Sequence, residues 1–357
     1  MLELRSLTKR FDESIAVRQL NLDVPAGTLV ALLGPSGCGK TTTLRMIAGL
    51  TTPSDGEVLI NGRDVAPIPP EDRNIGMVFQ RYVLFPHMNV VRNVGFGVRV
   101  RGVPAPEITR RTAEILDVVQ LNGLENRFPG QLSGGQQQRV AIARTLVTQP
   151  HLLLMDEPLC NLDAKLREEM RVFIKGLQRR LGITTVFVTH DQVEAMELAD
   201  TVGVMFRGEL VQYDTPEALF SKPRTPEIAE FLGATNFLDG IVRVDASGTV
   251  LESPVGRLTV DVRHQLRDGA PARTTIRPEH ISIERPDGTE RVNQVAGTIL
   301  RRVFFGGSLA YDVQVNSVVI RVEEMSTRSW KEGDAVVLVL SADHLWVFPA
   351  VTEGEVR

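Results

Sequence analysis

Leu132-Ser133-Gly134-Gly135-Gln136 decides how the chain is read, because of what stands on either side of it. Upstream, Gly34-Pro35-Ser36-Gly37-Cys38-Gly39-Lys40-Thr41 fits the phosphate-loop pattern G-x-x-x-x-G-K-[ST] at every position. Downstream, Leu152-Leu153-Leu154-Met155 is an apolar strand that ends in two carboxylates, Asp156 and Glu157. A phosphate loop alone indicates nucleotide binding. The three motifs in this order narrow the reading to one class of nucleotide-hydrolysing fold.

Bulk properties set the frame. With 357 residues, 43% of them hydrophobic, the chain is long enough for two packed domains. No apolar run approaches the roughly 20 residues needed to span a bilayer. Met1-Leu2-Glu3-Leu4-Arg5 lacks the charged-then-apolar order of a secretion signal. The net charge of −4 argues against a general nucleic-acid binder, which carries a basic stripe. Cys38 and Cys160, the two cysteines, are too few for a disulfide framework, so a reducing cytosol is expected.

Residues 1–235 read as strands alternating with helices, an α/β domain of the phosphate-loop type. Leu29–Leu33, 75–79, 152–155 and 184–188 are strand candidates; 41–50, 108–119 and 136–147 are helix candidates. Three strands run into Gln80, Asp156 and, after Thr189, His190. Ligands bind beyond the carboxyl ends of strands in open α/β sheets, so these residues are expected along one edge. From 236 to 357 the texture changes to short alternating segments at 241–244, 257–260, 274–276, 318–320, 335–340 and 345–347. Turn signals at Pro286-Asp287-Gly288 and Glu332-Gly333-Asp334 punctuate them, giving a small all-β domain of barrel type. Its aromatics Phe304, Phe305, Trp330, Trp346 and Phe348 are expected in the barrel core.

The chemistry follows from the residue types. In the phosphate loop, glycines let successive N–H groups face phosphate oxygens, and the helix beginning near Lys40 adds its positive end. Lys40 suits the β- and γ-phosphates, Thr41 an Mg²⁺ ion, and Thr42 continues the nucleotide-binding run. Asp156 suits a water-mediated Mg²⁺ contact, and Glu157 suits a base that polarises the attacking water. Gln80 is placed to position water or metal, and His190 to sense the γ-phosphate. Ser133, Gly134, Gly135 and Gln136 join a hydroxyl, bare backbone and a helix N-terminus into a second anion site. ATP has one γ-phosphate, so two phosphate surfaces on one chain imply a head-to-tail homodimer with two composite sites. Cys38, beside Lys40 and near a helix N-terminus, is expected either to favour the thiolate or to be a buried, inert thiol.

At this point the sequence resembles the ATP-binding-cassette ATPases, in particular the importer subunits with a C-terminal accessory β-domain similar to an oligonucleotide-binding barrel (the TOBE type). The resemblance implies ATP and Mg²⁺ as cofactors and transport-coupled hydrolysis. It also implies a peripheral place on the cytoplasmic face of the membrane, two transmembrane permease subunits and, indirectly, an extracytoplasmic solute-binding protein. It implies that Phe11 stacks on adenine, as a weaker platform than Trp or Tyr. It further implies that the 80–87 loop meets the permease and that Asn161-Leu162-Asp163 contacts the dimer partner. Cys160 departs from the usual Ser before Asn161, and Arg277-Pro278-Glu279-His280 resembles a recurring accessory-domain motif. The implied cargoes include sugars, polyamines, iron(III), sulfate and organophosphonates. The segment 233–240 resembles the polyamine, iron and aminophosphonate branches, which makes a small charged solute, polyamine first, the expectation. Soluble cassette proteins of translation or DNA maintenance carry paired cassettes or a coiled-coil insertion that this chain lacks. Intact Lys40, Asp156, Glu157 and His190 argue against a regulatory module without hydrolysis.

Overall fold

The computed structural model describes residues 1–245, 248–260, 266–286, 291–325 and 329–349, so Asp287 and Gly288 of the expected turn lie outside the described residues. The chain divides into two compact units, Met1–Leu219 and Phe220–Arg357.

The first unit begins with β1 (Leu2–Phe11), β2 (Ser14–Val24), β3 (Leu29–Leu33), α1 (Lys40–Ala48), β4 (Asp55–Ile60), β5 (Arg63–Asp64) and β6 (Ile75–Val78). There follow α2 (Val90–Val94), α3 (Phe96–Val100), α4 (Ala105–Val118), α5 (Gly134–Leu146), β7 (Leu152–Asp156) and α6 (Ala164–Leu181). It ends with β8 (Thr184–Thr189), α7 (Gln192–Leu198), β9 (Thr201–Phe206) and β10 (Glu209–Asp214). Six strands form one sheet in the order β10-β9-β3-β8-β7-β6, parallel except for β10 at the edge. Every residue of β3, β7 and β8 is buried, because helices cover both faces of a parallel sheet. That is why these strands read as continuous apolar runs.

An antiparallel sheet, β2-β1-β4-β5, covers one side of this core. Leu4, Leu20 and Val58 from it share one apolar cluster with Leu44 and Ile47 of α1 and with Val30, Leu154 and Val186. Burying each such side chain contributes about 1.5–3 kcal/mol, enough to fix α1, and the phosphate loop before it, against the sheet. A separate cluster, including Val94, Leu116, Val140 and Val147, packs α2, α4 and α5 as a helical lobe.

The second unit contains α9 (Pro226–Phe231), preceded by α8 (Pro216–Ser221), which carries the chain across the division. Its strands are β11 (Asn236–Asp245), β12 (Gly248–Ser253), β13 (Gly256–Thr259), β14 (Pro271–Ile276) and β15 (Ile281–Glu284). Then come β16 (Gln294–Phe304), β17 (Ser308–Val315), β18 (Val318–Met325), β19 (Ala335–Leu340) and β20 (Trp346–Pro349). They form two antiparallel five-stranded sheets, β13-β12-β11-β14-β20 and β15-β19-β16-β17-β18, around a core holding Leu251, Ile283, Ile299, Tyr311 and Leu338. This is the all-β, OB-like domain.

The division by contacts falls before the change of texture, and the aromatics differ in part from the expectation. The change of texture at 235 lies beyond the division at Leu219, because Phe220–Ala234 is tied to the β-domain. Arg277 Nη1 donates to Leu232 O (2.8 Å), its guanidinium lies 3.4 Å from the Phe220 ring centroid, and Trp346 Nε1 donates to Pro223 O (2.9 Å). Trp330 packs in the barrel core as expected, whereas Phe348 and the half-buried Trp346 lie outside it, in a separate cluster with Ala229 and Ala234. Phe304 and Phe305, however, are 62% and 58% exposed, because they sit at the β16–β17 hairpin tip beside Gly306 and Gly307 rather than on an inward face.

Asn236 joins the two sheets of this unit. Its Nδ2 donates to Ile276 O (3.1 Å) and to Arg321 O (2.8 Å), and its Oδ1 accepts from Arg321 N (2.8 Å). With Asn236 only 5% exposed, an alanine there leaves buried backbone groups unpaired. Asn236→Ala is expected to destabilise the β-domain by about 2–3 kcal/mol in urea unfolding while leaving nucleotide binding to the first unit intact.

Candidate nucleotide site

The parallel register brings the expected residues to one edge. Leu33 pairs with Thr189, Asp156 with Val188 and Val78 with Met155. The phosphate loop, His190, the Asp156–Glu157 pair and Gln80 therefore leave adjacent strands on the same side.

Within the loop, Pro35, Ser36 and Gly37 are exposed and Gly34, Cys38, Gly39 and Lys40 are buried. Gly39 caps α1 at φ 102°, and a Cβ there would lie 2.4 Å from Ala16 O, so no other residue fits. Lys40 Nζ donates to Gly34 O (2.7 Å) and Pro35 O (3.0 Å), which holds its ammonium within the curl of the loop. Thr42 is half-buried in the first turn of α1.

Of the two readings of Cys38, the burial agrees with the inert thiol. The side chain is 3% exposed, and burial pushes its thiol up from the ordinary value. Lys40 Nζ, 3.7 Å from Sγ, opposes this without reversing it. Position beside a lysine was legible in the sequence; desolvation was not.

Thr41 Oγ1 donates to Asp156 Oδ1 at 2.9 Å. Burial raises the Asp156 carboxyl above the usual aspartate range, the Thr41 hydrogen bond counters that, and the neighbouring Glu157 charge adds to the rise. Two hard oxygen donors within hydrogen-bond reach, one of them a desolvated carboxylate, fit an Mg²⁺ ion. Glu157 has φ 43°, rare for a residue with a Cβ, and its N–H donates to Val188 O (3.0 Å). Glu157 Oε2 lies 3.1 Å from His190 Nδ1, so the carboxylate and the imidazole orient each other.

Gln80 is exposed, and its carbonyl accepts from Asn161 Nδ2 (2.8 Å). Further along the same loop, Arg144 donates to Tyr82 O and Val83 O, and Asn93 pairs with Phe85 through both its amide atoms. Neither Arg144 nor Asn93 stood out in the sequence: each occupies an ordinary polar position on a helix. Phe11 is exposed at the end of β1, with Lys9 Nζ 4.9 Å from its ring centroid, so one face of the ring is already engaged by a cation.

Ser133 caps α5 reciprocally: its Oγ accepts from Gln136 N (3.3 Å) and its N–H donates to Gln136 Oε1 (3.0 Å). Helix geometry leaves the N–H groups of Gly134 and Gly135 without an intrahelical acceptor, as an anion site needs. The glycines also have a packing reason that the sequence did not reveal, since a Cβ on Gly135 would lie 2.7 Å from Leu166 Cδ1 of α6.

The site predicts an effect on stability. Asp156 has a raised carboxyl pKa in the folded chain, so folding favours its protonated form. Stability is lost as pH rises from the ordinary aspartate value through the raised one. Asp156→Asn keeps the acceptor for Thr41 and removes the charge. It is expected to raise the melting temperature of the nucleotide-free protein at pH 7.5, with the gain shrinking as pH falls toward 4, and to lower hydrolysis about tenfold to a hundredfold. Thermal melts at several pH values alongside an ATPase assay check both.

The family model described as ABC transporter matches residues 17–160, and that described as TOBE domain matches 274–348. The chain is 42% identical over 349 residues to the spermidine/putrescine import ATP-binding protein PotA of Rubrobacter xylanophilus, covering 96% of this chain and 92% of the relative. It is also 42% identical over 356 residues to the sulfate/thiosulfate import ATP-binding protein CysA of Burkholderia mallei, covering 97% of this chain and 99% of the relative. Among solved structures it is similar to an ATP-binding cassette in a dimeric post-hydrolysis state bound to ADP and Pi. That match has 33% identity and a TM-score of 0.53 and covers 60% of this chain and 99% of the other.

Proposed function

The chain belongs to the ATP-binding-cassette transporter family, and from that premise we propose that it is the ATPase subunit of an importer for a small charged solute, polyamine first. The observation that carries this is its similarity to import ATP-binding proteins across both units, combined with the cluster of nucleotide-handling residues along one sheet edge. The sequence boundary, 1–235 for the cassette and 236–357 for the accessory domain, is kept for these roles, with Phe220–Ala234 as a connecting segment packed on the accessory domain.

The residues have these roles. The phosphate-loop N–H groups and Lys40 hold the β- and γ-phosphates, with Phe11 against the adenine. Thr41, Asp156 and Gln80 would hold Mg²⁺, which would supply charge neutralisation at the phosphates. Glu157 polarises the attacking water and takes its proton, and its left-handed backbone turns it out of the β7 line toward the phosphate. His190, oriented by Glu157, hydrogen-bonds the γ-phosphate. Ser133–Gln136 of a second copy closes the site, which makes the working unit a head-to-tail homodimer. Among the described residues no helix is long and apolar enough to cross a membrane, so passage falls to two permease subunits that this chain docks against from the cytoplasmic face. Cargo arrives through an extracytoplasmic solute-binding protein.

Glu157→Gln is expected to lower steady-state hydrolysis by at least about 10²-fold, the scale of general-base removal, while ATP still binds and a stable dimer accumulates. Rate measurements with light scattering check this; wild-type turnover would overturn the role of Glu157. The relative named for sulfate and thiosulfate matches as well as the one named for spermidine and putrescine, so sulfate is the second reading. Radiolabelled uptake in a deletion strain separates them: loss of putrescine and spermidine uptake with sulfate uptake intact is the expected result, and the reverse would refute the polyamine assignment.

A further inference from the structure

The loop after β6 holds a backbone that its own residues do not favour. Val83 has φ 46°, a left-handed conformation that a β-branched residue resists, and its side chain is exposed, so packing does not impose it. What grips the backbone there is Arg144. Its Nη1 donates to Val83 O (2.8 Å), its Nη2 donates to Tyr82 O (3.1 Å), and its guanidinium lies 5.5 Å from the Phe85 ring centroid. Asn93 fixes the far side of the same stretch through Phe85 N (2.8 Å) and Phe85 O (3.1 Å). Gln80 lies three residues before Val83.

Arg144 stands in the last turn of α5, and Ser133 caps the first turn of that helix. Eleven residues of α-helix span about 16 Å and move as a rigid rod. We infer that Arg144 is a positioning residue for hydrolysis, clamping the carbonyls of Tyr82 and Val83 so that the strained backbone at Val83 is held and Gln80 is kept in place for the reaction. The inference rests on the proposed role of Gln80. A planar guanidinium is needed because one side chain must donate to two carbonyls at once; a lysine ammonium on its flexible stem does not reproduce that fork.

The test uses full-length protein and Mg-ATP turnover, with melting temperatures recorded for each variant. Gln80→Ala establishes the signature: kcat reduced and KM for ATP little changed. Arg144→Lys is expected to copy it, with kcat down about tenfold and KM within about twofold, because displacing a group near the reaction affects turnover rather than ground-state binding. Glycine adopts the left-handed backbone without a clamp. Arg144→Lys combined with Val83→Gly is therefore expected to regain at least about threefold in kcat, a rescue that loss of packing at Arg144 would not show. Wild-type kcat in Arg144→Lys beside a slowed Gln80→Ala overturns the inference, and so does a slowed Arg144→Lys that Val83→Gly fails to rescue. A full-speed Gln80→Ala, or a wild-type chain that does not hydrolyse ATP, refutes the reading of the site itself and this inference with it.

Discussion

The cost of burying Asp156 at the carboxyl end of a fully covered strand shapes the rest of the nucleotide site. A carboxylate there loses its hydration, and Glu157 follows it immediately, adding like charge. The main compensation is the Thr41 hydroxyl, presented by the first turn of α1, with smaller contributions from the Arg45 and Lys40 charges. The Thr41 contact exists only because β3 and β7 flank β8 in parallel register, so the loop after β3 and the end of β7 face the same side. Hydroxyl and charges together do not offset the whole penalty, and the carboxyl remains above its ordinary range. A carboxylate still held above its ordinary range gains from a bound cation, and a nucleoside triphosphate brings one with it.

Glu157 meets a second constraint. Continued as a strand, β7 would point Glu157 to the face opposite Asp156. The left-handed turn at Glu157, anchored by its N–H on Val188 O, breaks that alternation and leaves its carboxylate against His190. Strain at Glu157 and at Val83 falls at the same edge of the molecule, while β3, β7 and β8 beneath are buried and regular. Strained backbone persists only where surrounding structure over-determines it. Here the parallel sheet and the helical lobe supply that support.

What was legible in the sequence follows from which effects are local. Parallel strands buried on both faces show as unbroken apolar runs, so β3, β7 and β8 were readable, as were α1, α4 and α5 from their periodicity. The antiparallel sheet was not. β1 and β2 are interrupted by register shifts at Leu4, Leu7 and Lys9 and by left-handed residues Ser6 and Gln19, which scramble the two-residue alternation. Cys38 stayed open between two readings because neighbours along the chain are visible in a sequence and burial is not. Phe304 and Phe305 were misjudged because a hairpin tip and a core strand can carry the same aromatics. Arg144 had no sequence signal at all, since its partners are backbone carbonyls more than sixty residues away.

The glycines of Ser133-Gly134-Gly135-Gln136 show how one pattern can satisfy two demands. An anion site asks for unobstructed N–H groups at a helix start, and the packing of α6 asks for the absence of a Cβ beneath Leu166. A substitution at Gly135 thus displaces Leu166, three residues beyond the Asp163 cap of α6 and near Asn161, whose side chain holds the Gln80 carbonyl. Helix α5 therefore meets the Gln80 loop by two routes. Arg144 joins them directly at one end of α5, and the 161–166 segment joins them at the other. Two attachments at opposite ends of a rigid rod constrain rotation as well as translation, a geometry suited to passing a change of helix orientation on to the water-positioning side chains.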